Sequence, residues 1–441
     1  MGSGKFASTD LNVHAVAGTT PRSSKRQRFV WCLYDFGNSA YPTIIMTAVY
    51  ALYFADVVVP AEQRASSDKW WGWANGIGAL FVVLSAPFLG SLADRIRGKR
   101  LLLMLHLVVG VVSCAALALA GPGDVRLAMI LIVVSLYAFE GGNVFYNAFL
   151  PELVEPHEVS SLGARGWAFG YAGGLLSLGV VIAAIELGFD ARYCAVIAAA
   201  WWLAFGVWAI VWLRDDPREA SLASTARGPG IRARLKALRT EGNLLRFLIA
   251  LFFYMNALST IFVFAAVFTR TSLGFERLES LLLILLLNIV AMPGSLVFGR
   301  LAQRIGTLRS IEISLVLWIV VVVASILTAW PGLFDASTSK AAFWGVASLA
   351  ALCIGATQAT SRSYVGEISP PGMSGEFFGM MAIAGRASAI VGPIVFGELS
   401  DLCGGDQRLA LGSVGAFFLL GLVLLMRCRP SRARETGAHT T

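Results

Sequence analysis

Hydrophobic runs, each about 20 residues long, alternate with short polar segments along most of this chain. The run "LLLMLHLVVGVVSCAALALA" at 101–120 is representative. A helix of that length crosses the hydrocarbon core of a bilayer, and the runs lack the alternation typical of barrel strands. Because hydrocarbon offers no hydrogen-bond partners, the backbone groups must bond within helices. The sequence therefore predicts an all-α integral membrane protein.

Turn signals between the runs divide the chain into twelve predicted transmembrane helices. Their predicted ranges are 31–56, 70–92, 101–120, 127–150, 163–186, 192–213, 244–268, 280–299, 309–330, 341–363, 376–400 and 409–427.

The composition agrees with a membrane protein, since 57% of the 441 residues are hydrophobic and only 14% are charged. The net charge of +8 does not indicate a nucleic-acid partner, because the basic residues concentrate in the segments between spans. Residues 1–30 are polar and basic and contain no cleavable signal peptide. Lys and Arg are enriched in alternate loops, which predicts that both termini are cytoplasmic. The expected location is a cell membrane, and the resemblance described below suggests the inner membrane of a bacterium.

Two six-helix halves, 31–213 and 244–427, are predicted on either side of a polar linker at 214–243, with cytoplasmic tails at 1–30 and 428–441. Two pairs of segments repeat at one offset: "GSLADRI" from residue 90 with "GRLAQRI" from residue 299, and "GWAFG" from residue 166 with "GEFFG" from residue 375. Six spans is an even number, so the halves share one membrane orientation and are related by a pseudo-two-fold axis along the membrane normal.

Several kinds of site are not expected. The six cysteines form no CxxC pair, and the four histidines (His14, His106, His157 and His439) are all predicted to lie away from the middle of a span, so no metal site is expected. Nucleotide-binding GxxxxGK[ST], HExxH and GxSxG motifs are absent from the sequence. We therefore expect no cofactor and no enzymatic activity.

The segment "GSLADRIRGKR" at 90–100 resembles the loop signature between the second and third helices of the major facilitator superfamily. A degenerate copy, "GRLAQRIG", begins at residue 299, and Arg97 makes the first copy one residue longer than the usual pattern. The resemblance implies the major facilitator fold. The positive end of the eleventh helix, near residue 376, is expected to face this loop and to favour the Asp94 carboxylate, which predicts a conformational latch at the inner face. The residues predicted to form this latch are Gly90, Asp94, Arg95, Lys99 and Arg100.

Five further segments are similar to one branch of that superfamily, which contains the fungal vacuolar amino-acid effluxer linked to autophagy and its bacterial relatives. They are "YDFGNSAYPT", "FYNAFLPEL", "GWAFGYAGG", "QATSRSY" and "EFFG". The resemblance implies a transporter with a small-molecule substrate, and amino acids are the first class that it suggests. It also implies that the first, fourth, seventh and tenth helices line a central cavity, and that the second, fifth, eighth and eleventh form the interface between the halves.

Glu140 is predicted to lie near the bilayer midplane, where a charge facing lipid costs roughly 2.5 kcal/mol or more. Asn143 and Asn147 follow on the same helix face. This pattern favours a protonatable coupling or substrate site, and the alternative is a buried carboxyl group satisfied by neighbouring helices.

Asp35 is predicted to lie about one turn inside the cytoplasmic end of the first span, wetted from an inward-open cavity. Asn38 and Ser39 share its face, and Pro42 can kink the helix above it. We interpret this strip as a gate. The alternative is a carboxylate that simply caps the start of the helix.

Arg386 is the one cation predicted in the middle of a span, and it needs a carboxylate, backbone carbonyl groups or an anionic substrate. The sequence leaves two alternatives for this partner: a fixed acidic residue between the halves, or a carboxylate group of the substrate. The predicted substrate and coupling set is completed by Tyr41, Asn256, Asn288, Gln358 and Arg362.

Glycines at every fourth position, Gly166, Gly170 and Gly174 in the fifth span and Gly72 and Gly76 in the second, favour close helix packing. For the whole chain we predict a secondary transporter that moves a small polar solute by alternating access. A proton-driven exporter of drugs or other metabolites and a transport-dead receptor or scaffold are the alternatives. We expect a monomer in the lipid bilayer, with protons as a candidate coupling ion.

Overall fold

The computed structural model describes residues 23–96, 98–215, 242–370, 373–404 and 406–428. In this part of the chain, twelve long helices form one bundle. They are α1 (Lys25–Val58), α2 (Ser67–Ile96), α3 (Lys99–Ala116), α4 (Val125–Ala148), α5 (Val159–Glu186), α6 (Cys194–Trp212), α7 (Gly242–Leu273), α8 (Arg277–Ile305), α9 (Thr307–Thr328), α10 (Ala336–Ile368), α11 (Ser374–Leu402) and α12 (Gln407–Leu425).

The predicted all-α, twelve-helix architecture is confirmed. We call the end of the bundle at which α1, α3 and α11 begin the inner end, and the opposite end the outer end. The predicted linker starts just after α6, and most of it lies outside the described residues, as do most of both predicted tails.

The first helix begins earlier than predicted. Ser24 and Gln27 form a capping box, in which the Gln27 amide donates to Ser24 Oγ at 3.2 Å and the Ser24 amide donates to Gln27 Oε1 at 3.0 Å. This cap starts α1 at Lys25, so Asp35 lies ten residues further on, roughly 15 Å along the helix. The prediction that Asp35 lies within one turn of the helix start is therefore wrong.

The middle of α1 has π-helical winding from Tyr41 to Ala48. In this stretch the Val49 amide donates to Ile44 O at 3.0 Å, and Thr47 Oγ1 donates to Pro42 O at 2.9 Å. Pro42 has no amide hydrogen to donate, which weakens α-helical bonding where the π stretch begins. At the position of the predicted kink, the structure has a change from α-helical to π-helical winding.

The halves meet through two equivalent helix crossings, α2 with α11 and α5 with α8. A Cβ atom on Gly90 would overlap the carbonyl oxygen of Gly375, and one on Gly299 would overlap Ala164 Cβ. Gly90 and Gly299 are equivalent positions of the sequence repeat. Both glycines therefore allow a close approach that any side chain would prevent.

The inner end carries a second symmetric feature. Lys99, at the start of α3, forms an ion pair with Glu152, which follows α4. In the other half Thr307, at the start of α9, donates to Glu367 near the end of α10 at 2.5 Å. Lys99 Nζ also donates to Ser374 Oγ at 2.9 Å, which connects the first half to the start of α11.

The glycine stripes differ from each other. Gly166, Gly170 and Gly174 pack closely, mainly against α1 of the same half. Gly72 and Gly76 have no neighbouring atom within 4 Å of an added Cβ, so the prediction of close packing at these two positions is wrong.

His106 also departs from its predicted place. It is the eighth of the 18 residues of α3, near the middle of that helix. Its ring lies against α4, where an added Cβ on Gly141 would meet Nε2 at 2.7 Å.

Candidate functional site

A cavity of about 400 Å³ lies between the two halves. Its lining reaches the outer parts of α7, α8 and α10 at Phe268, Leu283 and Phe343. Its inner floor is formed by Trp167, Gly170, Tyr171 and Gln358. Among the described residues that line this central cavity, none is charged, and the walls are largely aromatic and aliphatic with hydroxyl and amide groups between them.

The lining helices differ in part from those that the family resemblance implies. Helices α1, α7 and α10 contribute as expected, whereas no described residue of α4 lies in the lining, and α5, α8, α9, α11 and α12 contribute as well. Of the predicted substrate and coupling residues, Asn288 and Gln358 line the central cavity. Those found elsewhere are Asp35, Asn38, Tyr41, Glu140, Asn143, Asn147, Asn256, Arg362 and Arg386.

The floor is closed by a hydrogen bond between the halves. Tyr171 of α5 donates its hydroxyl to Gln358 Oε1 of α10 at 2.8 Å. Since the two helices belong to different halves, this bond must break when the halves separate at the inner end.

Directly behind the floor, Arg362 of α10 forms a buried ion pair with Asp35 of α1, at 2.8 Å between Nη1 and Oδ2. Nη1 also lies 3.4 Å from Asn147 Oδ1, and Nη2 donates to Gly163 O at 2.6 Å. The guanidinium group therefore bonds to three helices of the other half. Asp35 is buried in this pair. The expectation that water reaches it from an inward-open cavity stays a prediction, because the floor is closed in this conformation.

Aromatic rings enclose this arginine. The centroids of Trp31, Trp167 and Tyr146 lie 4.9, 5.2 and 5.9 Å from Arg362 Cζ, distances at which a cation is attracted by the ring faces. Trp31 and Tyr146 stack at 4.7 Å, and each donates to the other's backbone carbonyl oxygen. Together they form a rigid wall around the charge.

Gly166 makes room for the ion pair. A Cβ at this position would lie 2.6 Å from Arg362 Nη2, 2.7 Å from Asp35 Oδ2 and 2.7 Å from the Trp31 ring. Even alanine would therefore collide with the pair.

Other predicted residues hold α1 against α4 within the first half. Asn38 Nδ2 donates to Asn143 Oδ1 at 2.9 Å, and the hydroxyls of Tyr41 and Ser135 lie 2.9 Å apart. In the described structure the polar groups of these four side chains therefore bond to one another.

Glu140 of α4 forms an ion pair with Arg386 of α11. The structure thus brings together two residues that were singled out separately, each because it needed a partner. As with Asp35 and Arg362, the first half supplies the carboxylate and the second half the guanidinium group.

Asn256 is fully buried in α7 and donates from Nδ2 to Phe252 O of its own helix at 2.6 Å. An added Cβ on Gly392 of α11 would overlap its backbone carbonyl oxygen, so Asn256 lies at a tight helix crossing.

The predicted latch is described in part. Gly90 contacts the start of α11, Lys99 is buried in its pair with Glu152, and Arg100 is exposed. The side chains of Asp94 and Arg95 lie outside the described residues, so their latch role stays a prediction.

Sequence reasoning did not single out Trp31, Tyr146, Trp167 or Glu152. Tyr146, Trp167 and Glu152 occur in segments that carried the family resemblance, and Trp31 lies just before such a segment. Tryptophan and tyrosine near the ends of spans are common membrane-interface anchors, so the three aromatic residues carry no specific signal of a site in the sequence.

The protein family described as "Vacuole effluxer Atg22 like" matches residues 72–160 and 157–438. The "Uncharacterized MFS-type transporter YxiO" of Bacillus subtilis is 28% identical over 417 residues, which cover 91% of this chain and 94% of that protein. "Autophagy-related protein 22" of Saccharomyces cerevisiae is 25% identical over 374 residues, covering 73% and 70%.

Solved structures with the same fold include the human organic anion transporter MFSD10, with a TM-score of 0.70 and 18% identity over 92% of this chain and 100% of that one. The proton:xylose symporter XylE gives a TM-score of 0.69 at 14% identity, with 92% and 96% covered. XylE is described as a protein of the major facilitator superfamily. The family match covers most of the chain, which therefore belongs to the Atg22-like family of major facilitator transporters.

Proposed function

We propose that this protein is a secondary transporter that moves a small polar solute by alternating access through the central cavity. One observation carries the proposal: a solute-sized cavity between the halves ends on a hydrogen bond and an ion pair that both join the halves. Separation of the halves at the inner end breaks both and opens the floor. This is the geometry that a gate requires.

The described conformation is that of an outward-facing carrier. Contacts between the halves gather toward the inner end, where Lys99 bonds to Ser374 and Ser295 donates to Ala164 O at 3.3 Å. The cavity lining continues from the floor toward the outer end. The orientation assigned from the basic residues makes the inner end cytoplasmic, in a bacterial cell membrane.

The lining supports a solute with both polar and apolar parts. Its volume of about 400 Å³ falls within the range of small-molecule sites. Apolar walls suit an apolar substituent, while Ser39, Tyr171 and Gln358 near the floor suit a polar end. Amino acids with apolar side chains are accordingly the first class to test.

Counterflow of labelled solutes in proteoliposomes tests this function. We expect exchange of at least one neutral amino acid, and loss of exchange in Thr47→Trp, which places an indole in the cavity from an exposed lining position. Val112→Trp, on an exposed face of α3, is the matched control and should exchange normally. Absence of exchange for amino acids, sugars and nucleosides alike would favour a receptor or scaffold.

Proton-driven export is a second candidate, favoured by the pair between Glu140 and Arg386. Movement of the halves would separate this carboxylate from its arginine partner, which belongs to the other half. A pH gradient across the same proteoliposomes distinguishes the two candidate functions. Only a proton-linked carrier uses that gradient to accumulate solute against the solute's own concentration gradient.

A further inference from the structure

We propose that Arg362 is the specificity-determining residue of this transporter: it exchanges Asp35 for a carboxylate group of the solute when the inner gate opens. The inference rests on the proposed transport function and names its substrate class, a solute with one carboxylate and an apolar substituent. A solute that lacks the carboxylate is then a poor substrate.

The ion pair lies next to the cavity floor. Gln358 lines the floor and precedes Arg362 by four residues, so both are on one face of α10. Trp167 lines the cavity and also faces Arg362 Cζ at 5.2 Å. An added Cβ on Gly170, another floor residue, would lie 3.8 Å from Asp35 Cβ. A single layer of side chains therefore separates the cavity from the charged groups of Arg362 and Asp35.

Arg362 has unused donor capacity. Its Nη1 bonds to Asp35 and approaches Asn147, and its Nη2 bonds to Gly163 O. Its Nε is buried and has no hydrogen-bond partner among the residues that the structure describes. Nε and Nη2 form one edge of the guanidinium group, which is the edge that can bind both oxygens of a carboxylate.

Opening of the gate changes the partners of Arg362. Asp35, Asn147 and Gly163 belong to the first half and move away together, whereas Arg362 moves with α10. A guanidinium group cannot lose its proton and is strongly unfavourable when left unpaired in a buried site. The described cavity lining offers no charged replacement, so the compensating anion must come with the solute.

This exchange links selectivity to transport. A carboxylate near Gln358 replaces Asp35 as the halves separate, and the open state keeps a paired arginine. An amide or amine of the same shape leaves the arginine unpaired, and the gate opens less often. Asp35 then acts as an internal competitor for the solute anion.

The test measures thermal shifts of the purified full-length protein with four probes: L-leucine, L-leucinamide, hexanoate and hexanamide. For the native protein we expect each carboxylate to bind at least about tenfold more tightly than its amide, since hydrogen bonds to charged groups are the stronger ones. Asp35→Asn should increase that preference further, because the internal competitor loses its charge.

Two further variants complete the test. Arg362→Lys keeps the charge but loses the guanidinium edge that can bind both oxygens of a carboxylate. It should therefore reduce the preference for carboxylates over amides. Asp190→Asn is the matched control: it makes the same substitution in the same half, at an exposed outer-end pair with Arg192, and should leave the preference unchanged. Arg362→Lys also serves as the independent variant if Asp35→Asn does not fold.

Equal binding of carboxylates and amides by the native protein would overturn the inference, as would a preference that Asp35→Asn and Arg362→Lys both leave unchanged. Counterflow separates this failure from that of the proposed function. If uncharged solutes exchange readily through the cavity, the transporter proposal stands and the role of Arg362 is wrong. If no solute exchanges at all, the transport function itself is wrong.

Discussion

The ion pairs Arg362–Asp35 and Arg386–Glu140 both join the halves, and they differ in their surroundings. In the first, the side chains of Arg362 and Asp35 are 5% and 12% exposed, and aromatic rings and a backbone carbonyl complete the enclosure. In the second, the side chains of Arg386 and Glu140 are 28% and 14% exposed. Both pairs draw their carboxylate from the first half and their arginine from the second.

The comparison indicates that enclosure decides how unfavourable it is to remove one partner of such a pair. Removing one partner from an enclosed pair leaves a buried charge, which is strongly unfavourable. The second pair is less enclosed by protein, so the same change there leaves a less completely buried charge and is better tolerated. The predicted effects of substitution therefore decrease from the first pair to the second.

The largest effect is expected for Asp35→Asn. It leaves Arg362 without its counter-charge and should destabilise the inward-closed conformation by roughly 3–5 kcal/mol. We expect the protein to fold and insert but to transport at a severely reduced rate, measured by counterflow against protein amount in the vesicles. Wild-type transport by this variant would instead show that the gate does not depend on the charge of Asp35.

Glu140→Gln tests the second pair. We expect loss of uptake driven by a pH gradient while exchange without a gradient persists, because Gln cannot carry the coupling proton. Uptake with and without the gradient in the same vesicles provides the measurement. If gradient-driven uptake survives, Glu140 has a structural role like that of Asp35, and the two pairs do not differ in function.

Gly90→Ala tests the crossing of α2 and α11, a contact between the halves that contains neither ion pair. Its new methyl group meets the backbone of Gly375, which cannot move aside, and overpacking of this kind costs about 1–3 kcal/mol. We expect greater labelling of an inner-end cysteine by a water-soluble thiol reagent. Gly72→Ala, with no atom within 4 Å of the new Cβ, should label like the native protein.

The equivalent crossing of α5 and α8 allows a rescue experiment within the same assay. Gly299→Ala meets Ala164 Cβ, so adding Ala164→Gly should restore native labelling. Failure of the rescue would mean that the second crossing resists change for a reason other than this contact.

The smallest effect is expected for Ser374→Ala, which removes one hydrogen bond from Lys99 at 2.9 Å. We expect a loss of about 1 kcal/mol in the stability of the closed inner end, seen as a modest rise in the same labelling. Ser413→Ala removes a bond within α12 alone and is the control. If Ser374→Ala labels as fully as an open inner end would, the Lys99–Ser374 bond, and not the enclosed ion pair, is the contact that mainly holds the inner end closed.

The twelve helices could be predicted from the sequence because a hydrophobic run of spanning length has few alternatives in a bilayer. The same reasoning singled out Glu140 and Arg386, since each charge inside a span requires a partner. It could not pair them, because the contact joins helices far apart in the sequence and depends on how the halves dock.

Arg362 shows a different limit. The polar segment "QATSRSY" lowers the local hydropathy, so the predicted span ended at residue 363, whereas α10 continues to Ile368. Arg362 was therefore placed at a span end instead of inside the bundle. Similarly, the spacing of Gly72 and Gly76 indicates a smooth helix face but not which neighbour, if any, lies against it.

The π-helical stretch of α1 from Tyr41 to Ala48 separates the gate residue Asp35 from the outer part of the same helix. A π turn bonds each amide one residue further back than an α turn does. Rewinding it to α-helix shifts the register by one residue, and one residue corresponds to about 100° of rotation. The π stretch therefore rotates the inner segment that carries Asp35 relative to the outer segment, compared with a continuous α-helix, and so helps to set the direction in which Asp35 meets Arg362.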